Sequence, residues 1–553
     1  MSLHPKSIAP VPEETARIAR AAFPKGNLYL RLRDELGSLY TDEAFADLFP
    51  THGQPAEAPW RLAVITVLQF AEMLSDRQAA EAVRARLDWK YLLGLPAEDP
   101  GFDASVLCEF RARLLEGGAE QRLLDVLLER FREHGLVKAR GRQRTDSTHV
   151  LSAVRALNRL QCVGETLRHA LNSLAVAAPD WLQPRIRPEW LERYDHQLDD
   201  YRLPKKEAER AALAALIGAD GFELLEAIYA LEAPSWLREV PAVETLRRVW
   251  LQQYYAPDAG PIRWRSSADT PPAHLLINSP YDPEARYGGK RDLTWVGYKA
   301  HLTETCDPDE PQVVTHVETT PATTHDGQVV EAIHADLAYK ELLPSEHIVD
   351  TGYVDSDLLV SSRTRYGVDL LGPVMQDTSW QSRAARGFES AAFTVDWAAR
   401  KVTCPEGHSS VKWCPTHDRH GNQVIHIEFA TADCRSCPSR PRCTRAATEP
   451  RELGLRPQAQ QEALWAARQR QTTPSFKEEY ARRAGVEGTL SQAIHVCGLR
   501  RAKYIGLAKT RLQHIITAAA LNVVRTGAWL AGLPRARTRQ TPFVALALAA
   551  CPA

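Results

Sequence analysis

The sequence predicts an α/β fold: a mixed sheet with helices on both faces, split by a helical insertion and a cysteine-rich insertion, and preceded by a helical N-terminal domain. Three observations predict it. Strand-like and helix-like runs alternate between residues 291 and 375. A further strand-like run, Arg142 to Leu151, stands far upstream across a long helical stretch. Five of the ten cysteines crowd between Cys404 and Cys443, which interrupts the alternation.

Residues 1–140 read as helical. After a lead-in with a helix around Leu28–Leu39, apolar residues recur at helical spacing from Trp60 to Phe131 (Leu62, Ile65, Leu68, then Val83, Leu87, Tyr91), with a break at Leu93-Gly94-Leu95-Pro96. Short helices carrying Arg77, Arg84, Arg86, Arg111 and Arg113 on their surface suit a DNA-binding helix-turn-helix. A helical packing or dimerisation domain has the same pattern.

Residues 141–151 form the first strand, with Asp146 pointing to one face. Residues 152–290 are a helical insertion ending in a long Pro/Gly/Ser-rich loop from 257 to 290. Over 291–375, Trp295–Leu302 and Gln312–Thr319 alternate as strands. Thr323-Thr324-His325-Asp326 then caps a helix to Leu343. His347-Ile348-Val349 is a short buried strand whose last turn carries Asp350, a helix capped by Asp355 or Ser356 follows, and Asp369–Val374 is another strand. In open α/β sheets working sites lie at the carboxyl ends of strands, where Asp350 sits. A residue that merely caps its turn would also be an Asp, so both readings stand at this point.

In the segment 376–450, Cys434-Arg-Ser-Cys437 is a C-x-x-C knuckle. Cys443 lies close behind it and Cys404 upstream, a spacing that suits a closed four-sulfur structural zinc site. A reduced, metal-free cluster is the alternative. The segment 451–533 is helical, and 534–553 is a tail. Between Arg451 and Thr526 thirteen Lys or Arg stand against five Glu and no Asp, although the whole chain has a net charge of only −1. Basic charge is therefore concentrated in the last helices, where phosphates could lie.

The opening MSLHPKSIAP has no apolar signal core, and no run reaches the roughly 18 apolar residues of a membrane span. The expectation is a cytoplasmic, nucleoid-associated protein with reduced thiols and no membrane partner.

The order strand, helical insertion, strand, strand, helix, strand, helix, strand is the connectivity of an RNase H-like fold. Asp146 in Thr-Asp-Ser-Thr, Asp350 in Asp-Thr-Gly-Tyr and Glu487 in Glu-Gly-Thr resemble the catalytic triad of bacterial insertion-sequence DDE transposases. The resemblance is to the branch with a Tyr-x2-Arg-x3-Glu-x6-Lys signature and a cysteine-bearing insertion. Tyr480, Arg483 and Glu487 fit that spacing, whereas Ile494 stands where the signature has Lys.

The resemblance implies a metal-dependent enzyme that binds terminal inverted repeats, cleaves both ends of its element and inserts them into target DNA as a homodimer. A transposase-derived regulator without catalysis is the alternative. It further implies two Mg²⁺ (or Mn²⁺) ions held by Asp146, Asp350 and Glu487, since hard cations take carboxylate oxygen and a metal pair stabilises both the attacking and the departing oxygen. Tyr480, Arg483, Arg500, Arg501, Lys503, Lys509 and Arg511 are then the expected DNA contacts, and Cys404, Cys434, Cys437 and Cys443 the expected zinc ligands.

Overall fold

The computed structural model describes residues 2–255, 262–385, 387–534, 541–543 and 546. Residues 257–261 of the expected loop and most of the tail lie outside them.

The central sheet contains β1 (Arg142–Leu151), β2 (Arg286–Lys290), β3 (Leu293–Thr305), β4 (Val314–Pro321), β5 (Glu346–Ile348) and β6 (Asp369–Leu371). Asp146 on β1 and Val317 on β4 both pair with Leu302 of β3, so β1 and β4 lie on opposite edges of β3. The resulting order is β4–β3–β1–β5–β6, antiparallel through β1 and parallel beyond it, with β2 extending the sheet beside the start of β3. This mixed order is consistent with a DDE, RNase H-like domain. The sequence missed β2, because Gly288-Gly289 reads as a turn.

Helices α1 (Leu28–Leu36), α2 (Pro59–Ala71) and α3 (Arg122–Glu133) come from the N-terminal region. They share one hydrophobic core with the sheet rather than forming their own. Between strands lie α4 (Val330–Tyr339) and α5 (Ser356–Tyr366), the latter capped by Asp355. The C-terminal helices are α6 (Gln458–Arg470), α7 (Pro474–Ala481), α8 (Ala484–Cys497) and α9 (Leu507–Leu530).

The sequence from Ile505 to Leu530 reads as a long amphipathic helix. Instead every residue of α9 from Leu512 to Val523 is buried, and the helix packs against α1, α2, α3 and β4. Ala518-Ala519-Ala520 and the surrounding Ile, Leu and Thr present no polar face wide enough for water, and a helix apolar all round belongs inside. Several of its polar side chains bond across tertiary contacts: Asn522 bonds both backbone groups of Val314, at 2.7 and 2.8 Å, and His514 Nδ1 lies 2.8 Å from the Thr319 hydroxyl.

Of the arginines expected on the N-terminal surface, Arg111 is buried, Arg86 and Arg113 are half-buried, and Arg77 and Arg84 are exposed. Arg111 is buried against Asp76 at 2.6 Å, Arg86 pairs with Glu72 and Asp88, and Arg84 pairs with Glu81.

Two further units have cores of their own. Helices Arg159–Ala177, Glu207–Tyr229 and Pro241–Gln253 enclose Val163, Leu167, Ile217, Leu246 and Trp250. In the cysteine-bearing segment, β7 (Ser410–His417), β8 (Gln423–Phe429) and β9 (Glu452–Leu455) form an antiparallel sheet over Val402, Ile427, Phe429 and Leu453.

One buried polar cluster ties the C-terminal helices to the sheet. Glu304 on β3 is fully buried and faces Arg144 on β1, with Arg144 Nη2 at 2.6 Å. Its other oxygen accepts from Arg525 Nη1 at 2.8 Å and from the Thr489 hydroxyl at 2.6 Å. Removing one charge from such a set strands the others, at a cost of about 3–5 kcal/mol. Glu304→Gln should therefore lower the free energy of unfolding by about that amount in urea titrations, and a loss below about 1 kcal/mol would show the cluster to be incidental.

Candidate active site

Parallel pairing of β1 with β5 sets Arg142 opposite Glu346 and Arg144 opposite Ile348. Continuing that register by two residues brings Asp146 level with Asp350, just past the end of β5. The two acids thus share one edge of the sheet because of strand register alone. Behind them a buried polar chain fixes the two strands: the Thr145 hydroxyl lies 2.6 Å from His347 Nε2, and His347 Nδ1 lies 2.8 Å from His334 Nε2.

Asp350 does both things the sequence allowed. Its Oδ1 accepts the Gly352 N–H at 2.9 Å and caps the turn Thr351–Tyr353. Its Oδ2 faces Arg483 Nη2 at 3.8 Å. The same nitrogen is 2.8 Å from Asp146 Oδ2, while Nη1 lies 3.5 Å from Glu487 Oε1, one turn along the helix. All three expected acids therefore meet around one guanidinium. Asp146 is buried; that burial raises its pKa, the Asp350 charge adds to the rise and Arg483 opposes it. Burial alone would lower the pKa of Arg483, but Asp146, Tyr480, Asp350 and Glu487 turn the shift upward. Glu487 is 67% exposed, so its carboxylate is free to reorient.

The position of α8, which carries Glu487, follows from close contact with β1. A Cβ on Gly485 would fall 2.1 Å from Arg144 Nη1, so any side chain there would push the helix off the sheet. Arg144 also donates to the Arg482 carbonyl, and Thr489 reaches Glu304 from the same helix.

The other expected residues divide. Tyr480 stacks on Phe476, with ring centroids 5.5 Å apart, and its hydroxyl is raised by burial. Arg500 donates to the Thr148 hydroxyl at 3.0 Å, two residues beyond Asp146 on β1. Arg501 and Lys509 are exposed. Lys503 sits with its ammonium 4.3 Å from the Phe70 ring centroid, and Arg511 lies 4.0 Å from Glu120. Ile494, where the signature has Lys, packs against the main core.

Sequence reasoning took Asp326 for part of a helix cap. It is His325 that caps the turn, and Asp326 instead pairs with Lys299 Nζ at 2.9 Å. The misreading is understandable: cap chemistry is local in sequence, whereas this ion pair spans a strand and a loop. Arg144, Glu304 and Arg525 carried no local signal either.

Cys404, Cys434, Cys437 and Cys443 line one small cavity together with Phe388 and Arg451. Burial pushes the Cys443 thiol up to about 11, and its three sulfur neighbours add to the rise. Cys414 is exposed on β7, opposite His426. Among the described residues, the set of His, Cys, Asp or Glu whose ligand atoms all lie within 4.8 Å of one another is His426, Glu428 and Glu452. Cross-strand pairing on the outer face of that small sheet brings them together, and Lys412 already neutralises Glu428 at 3.1 Å.

A family model described as a transposase DDE domain matches residues 403–526, and a model described as a transposase domain (DUF772) matches residues 17–113. The two matches support an insertion-sequence DDE transposase. The two domains support a transposase function, with DNA as the substrate class and divalent metal as the cofactor class of such domains. The DDE match includes Glu487 but begins beyond Asp146 and Asp350, which the structure brings beside Glu487 around Arg483. No curated protein and no solved structure matches the chain. Among the described residues no helix is long and apolar enough to cross a membrane.

With Arg483 removed, three carboxylates would face one another without a counter-charge. Arg483→Met should lose the charged hydrogen bond to Asp146, worth roughly 1.5–3 kcal/mol. Thermal melts in EDTA should therefore fall well below wild type, and added Mg²⁺ or Mn²⁺ should recover more stability for the variant than for wild type. Equal cation responses would mean that Arg483 and the cation do not share the carboxylates.

Proposed function

We propose that this transposase binds the terminal inverted repeats of its element as a homodimer and carries out strand cleavage and strand transfer at a site made by Asp146, Asp350 and Glu487. The observation that carries the reading is the meeting of these three acids, from β1, the end of β5 and α8, around Arg483. Their donor set fits Mg²⁺ or Mn²⁺: carboxylate oxygens from two adjacent strand positions and one exposed, mobile helix position, with no sulfur or imidazole in the set. When bound, two such ions supply activation of the attacking oxygen and stabilisation of the departing one.

The chain's own residues do the rest. Asp146 and Asp350 are fixed by strand register and by the Thr145–His347–His334 chain behind them, so the acceptor oxygens are held in place before DNA arrives. Glu487 closes the set by reorienting. Arg483 and Tyr480, three residues apart at the same edge, would receive the phosphates flanking the cut, an arginine doing so through two parallel N–H donors. Arg500, Arg501, Lys503, Lys509 and Arg511 would extend that contact along the DNA backbone. Lys503 and Arg511 must first leave Phe70 and Glu120 to do so.

The direct test is cleavage of a labelled duplex carrying the element's own end, with Mg²⁺ or Mn²⁺. Wild type should cut at the end and Asp350→Asn should not, while both bind the duplex. Specific binding with no cutting by wild type would sink the catalytic reading in favour of a regulator.

Cys404, Cys434, Cys437 and Cys443 line one cavity, which supports a structural zinc site because four thiolates suit a closed tetrahedral ion. Among the described residues no three of these sulfurs lie within 4.8 Å of one another, so binding would have to draw them together. Metal analysis of purified protein should find one zinc per chain. Cys437→Ser should release it and unfold the 376–450 segment, visible as new proteolytic nicks there. Protein that folds and resists proteolysis with no zinc bound would exclude the site.

A further inference from the structure

Outside the acidic site, the outer face of the small β7–β8–β9 sheet gathers a second set of metal-ligating groups. Alternation puts His426 and Glu428 of β8 on that face, because Ile425, Ile427 and Phe429 belong to the core beneath. Register sets Glu452 of β9 directly opposite Glu428. One imidazole nitrogen and one carboxylate oxygen from each glutamate thereby lie within 4.8 Å of one another. His426 Nε2 itself is 4.0 Å from Glu452 Oε2.

The charges on this face do not balance. Like charges directly opposite on paired strands destabilise a sheet, and Glu428 and Glu452 are such a pair. Lys412, across from Glu428 on β7, donates to Glu428 Oε2 at 3.1 Å, which leaves Oε1 for another ligand. The ionic neighbour of Glu452 among the described residues is His426. One ammonium thus serves two carboxylates. Nothing crowds the approach: opposite His426 stands Gly454, where a Cβ would meet no atom within 4 Å. A dication about 2.0–2.2 Å from each ligand needs ligand atoms about 3–3.5 Å apart. Closing this set therefore takes a shift of about 1 Å by side chains that are all partly exposed.

The mix of donors selects the ion. Imidazole suits zinc, nickel and copper, whereas Mg²⁺ and Ca²⁺ take oxygen ligands. One histidine and two carboxylates make three protein ligands, a number that leaves zinc an open position for water or another group. We propose that His426, Glu428 and Glu452 bind a zinc-class dication on this sheet face, separate from the three acids and from the four cysteines. The ion would tie β9 to β8, and β9 is the strand that leads into α6. The inference stands on these three residues and does not need the transposase reading.

Zinc uptake by the full chain is measured by equilibrium dialysis in excess Mg²⁺, which occupies oxygen-only sites. His426→Ala and Glu452→Gln should each bind one zinc fewer than wild type, with unchanged circular dichroism. Cys414→Ser removes the exposed thiol across the strands from His426 and should bind as wild type does. Lys412→Met frees the second oxygen of Glu428 and should tighten that zinc step by about two- to fivefold, because an exposed ion pair is worth little. Equal zinc stoichiometry in wild type, His426→Ala and Glu452→Gln overturns the inference. Loss of the same zinc in Cys414→Ser overturns it too, since a thiolate would then be the ligand. Unchanged or weaker binding in Lys412→Met overturns the three-residue set, because Glu428 would then take no part.

Discussion

Glu304 is the constraint on which the rest of the molecule depends. A carboxylate with no solvent access costs several kcal/mol to desolvate, and only close pairing with full hydrogen bonding offsets that. Here the offset comes from Arg144, Arg525 and Thr489, which sit on β1, α9 and α8. Two of the elements that carry the three acids, β1 and α8, are therefore joined with α9 through one residue of β3. Apolar packing by itself would leave α8 underdetermined: it buries Val486, Leu490, Ala493 and Cys497 along one stripe, which fixes its facing but tolerates sliding. Thr489 on Glu304, together with the backbone of Gly485 against Arg144, removes the sliding. Glu487 then has a defined root and a free tip, which suits a ligand that has to close over something.

The long helix α9 explains why the N-terminal helices belong to the same body as the sheet. Its middle, Leu512 to Val523, is buried on every side, so it needs partners all round, and β4 can cover only one side. Helices α1, α2 and α3 supply the others. The helices of the insertion and the cysteine-bearing segment are instead packed mainly on residues of their own. Adding such units between strands costs only loop closure, which grows slowly with length, so a sheet assembled from distant segments can carry them without losing its register.

What the sequence made legible follows from how local each signal is. Strands and helices with strong periodicity were readable, and so were Asp146, Asp350 and Glu487, because each sits in a short motif at an element's edge. The four cysteines around one cavity were readable from spacing. The Arg144–Glu304–Arg525 set was not, because each partner is an ordinary charged residue until the fold brings the three together. Arg111, and in part Arg86, misled for the same reason: a basic residue on a helix looks exposed until its acid is known. The burial of α9 was hidden by Thr, Gln, His and Asn, whose polar atoms find partners only across tertiary contacts.

Arg483 puts an electrostatic condition on any ligand of this site. Its guanidinium already lies within 4 Å of three carboxylates, so the site as it stands has balanced much of its own charge. A dication that takes the carboxylate oxygens takes over that balance as well, and leaves an arginine with donors to spare at the same edge of the sheet. A phosphate beside the carboxylates is the group that would satisfy those donors, while without a cation the same phosphate would be repelled by Asp146, Asp350 and Glu487. The two ligands thus favour each other through one side chain, and such coupling is reciprocal by thermodynamic necessity. On the proposed function, neither DNA alone nor metal alone would complete the site.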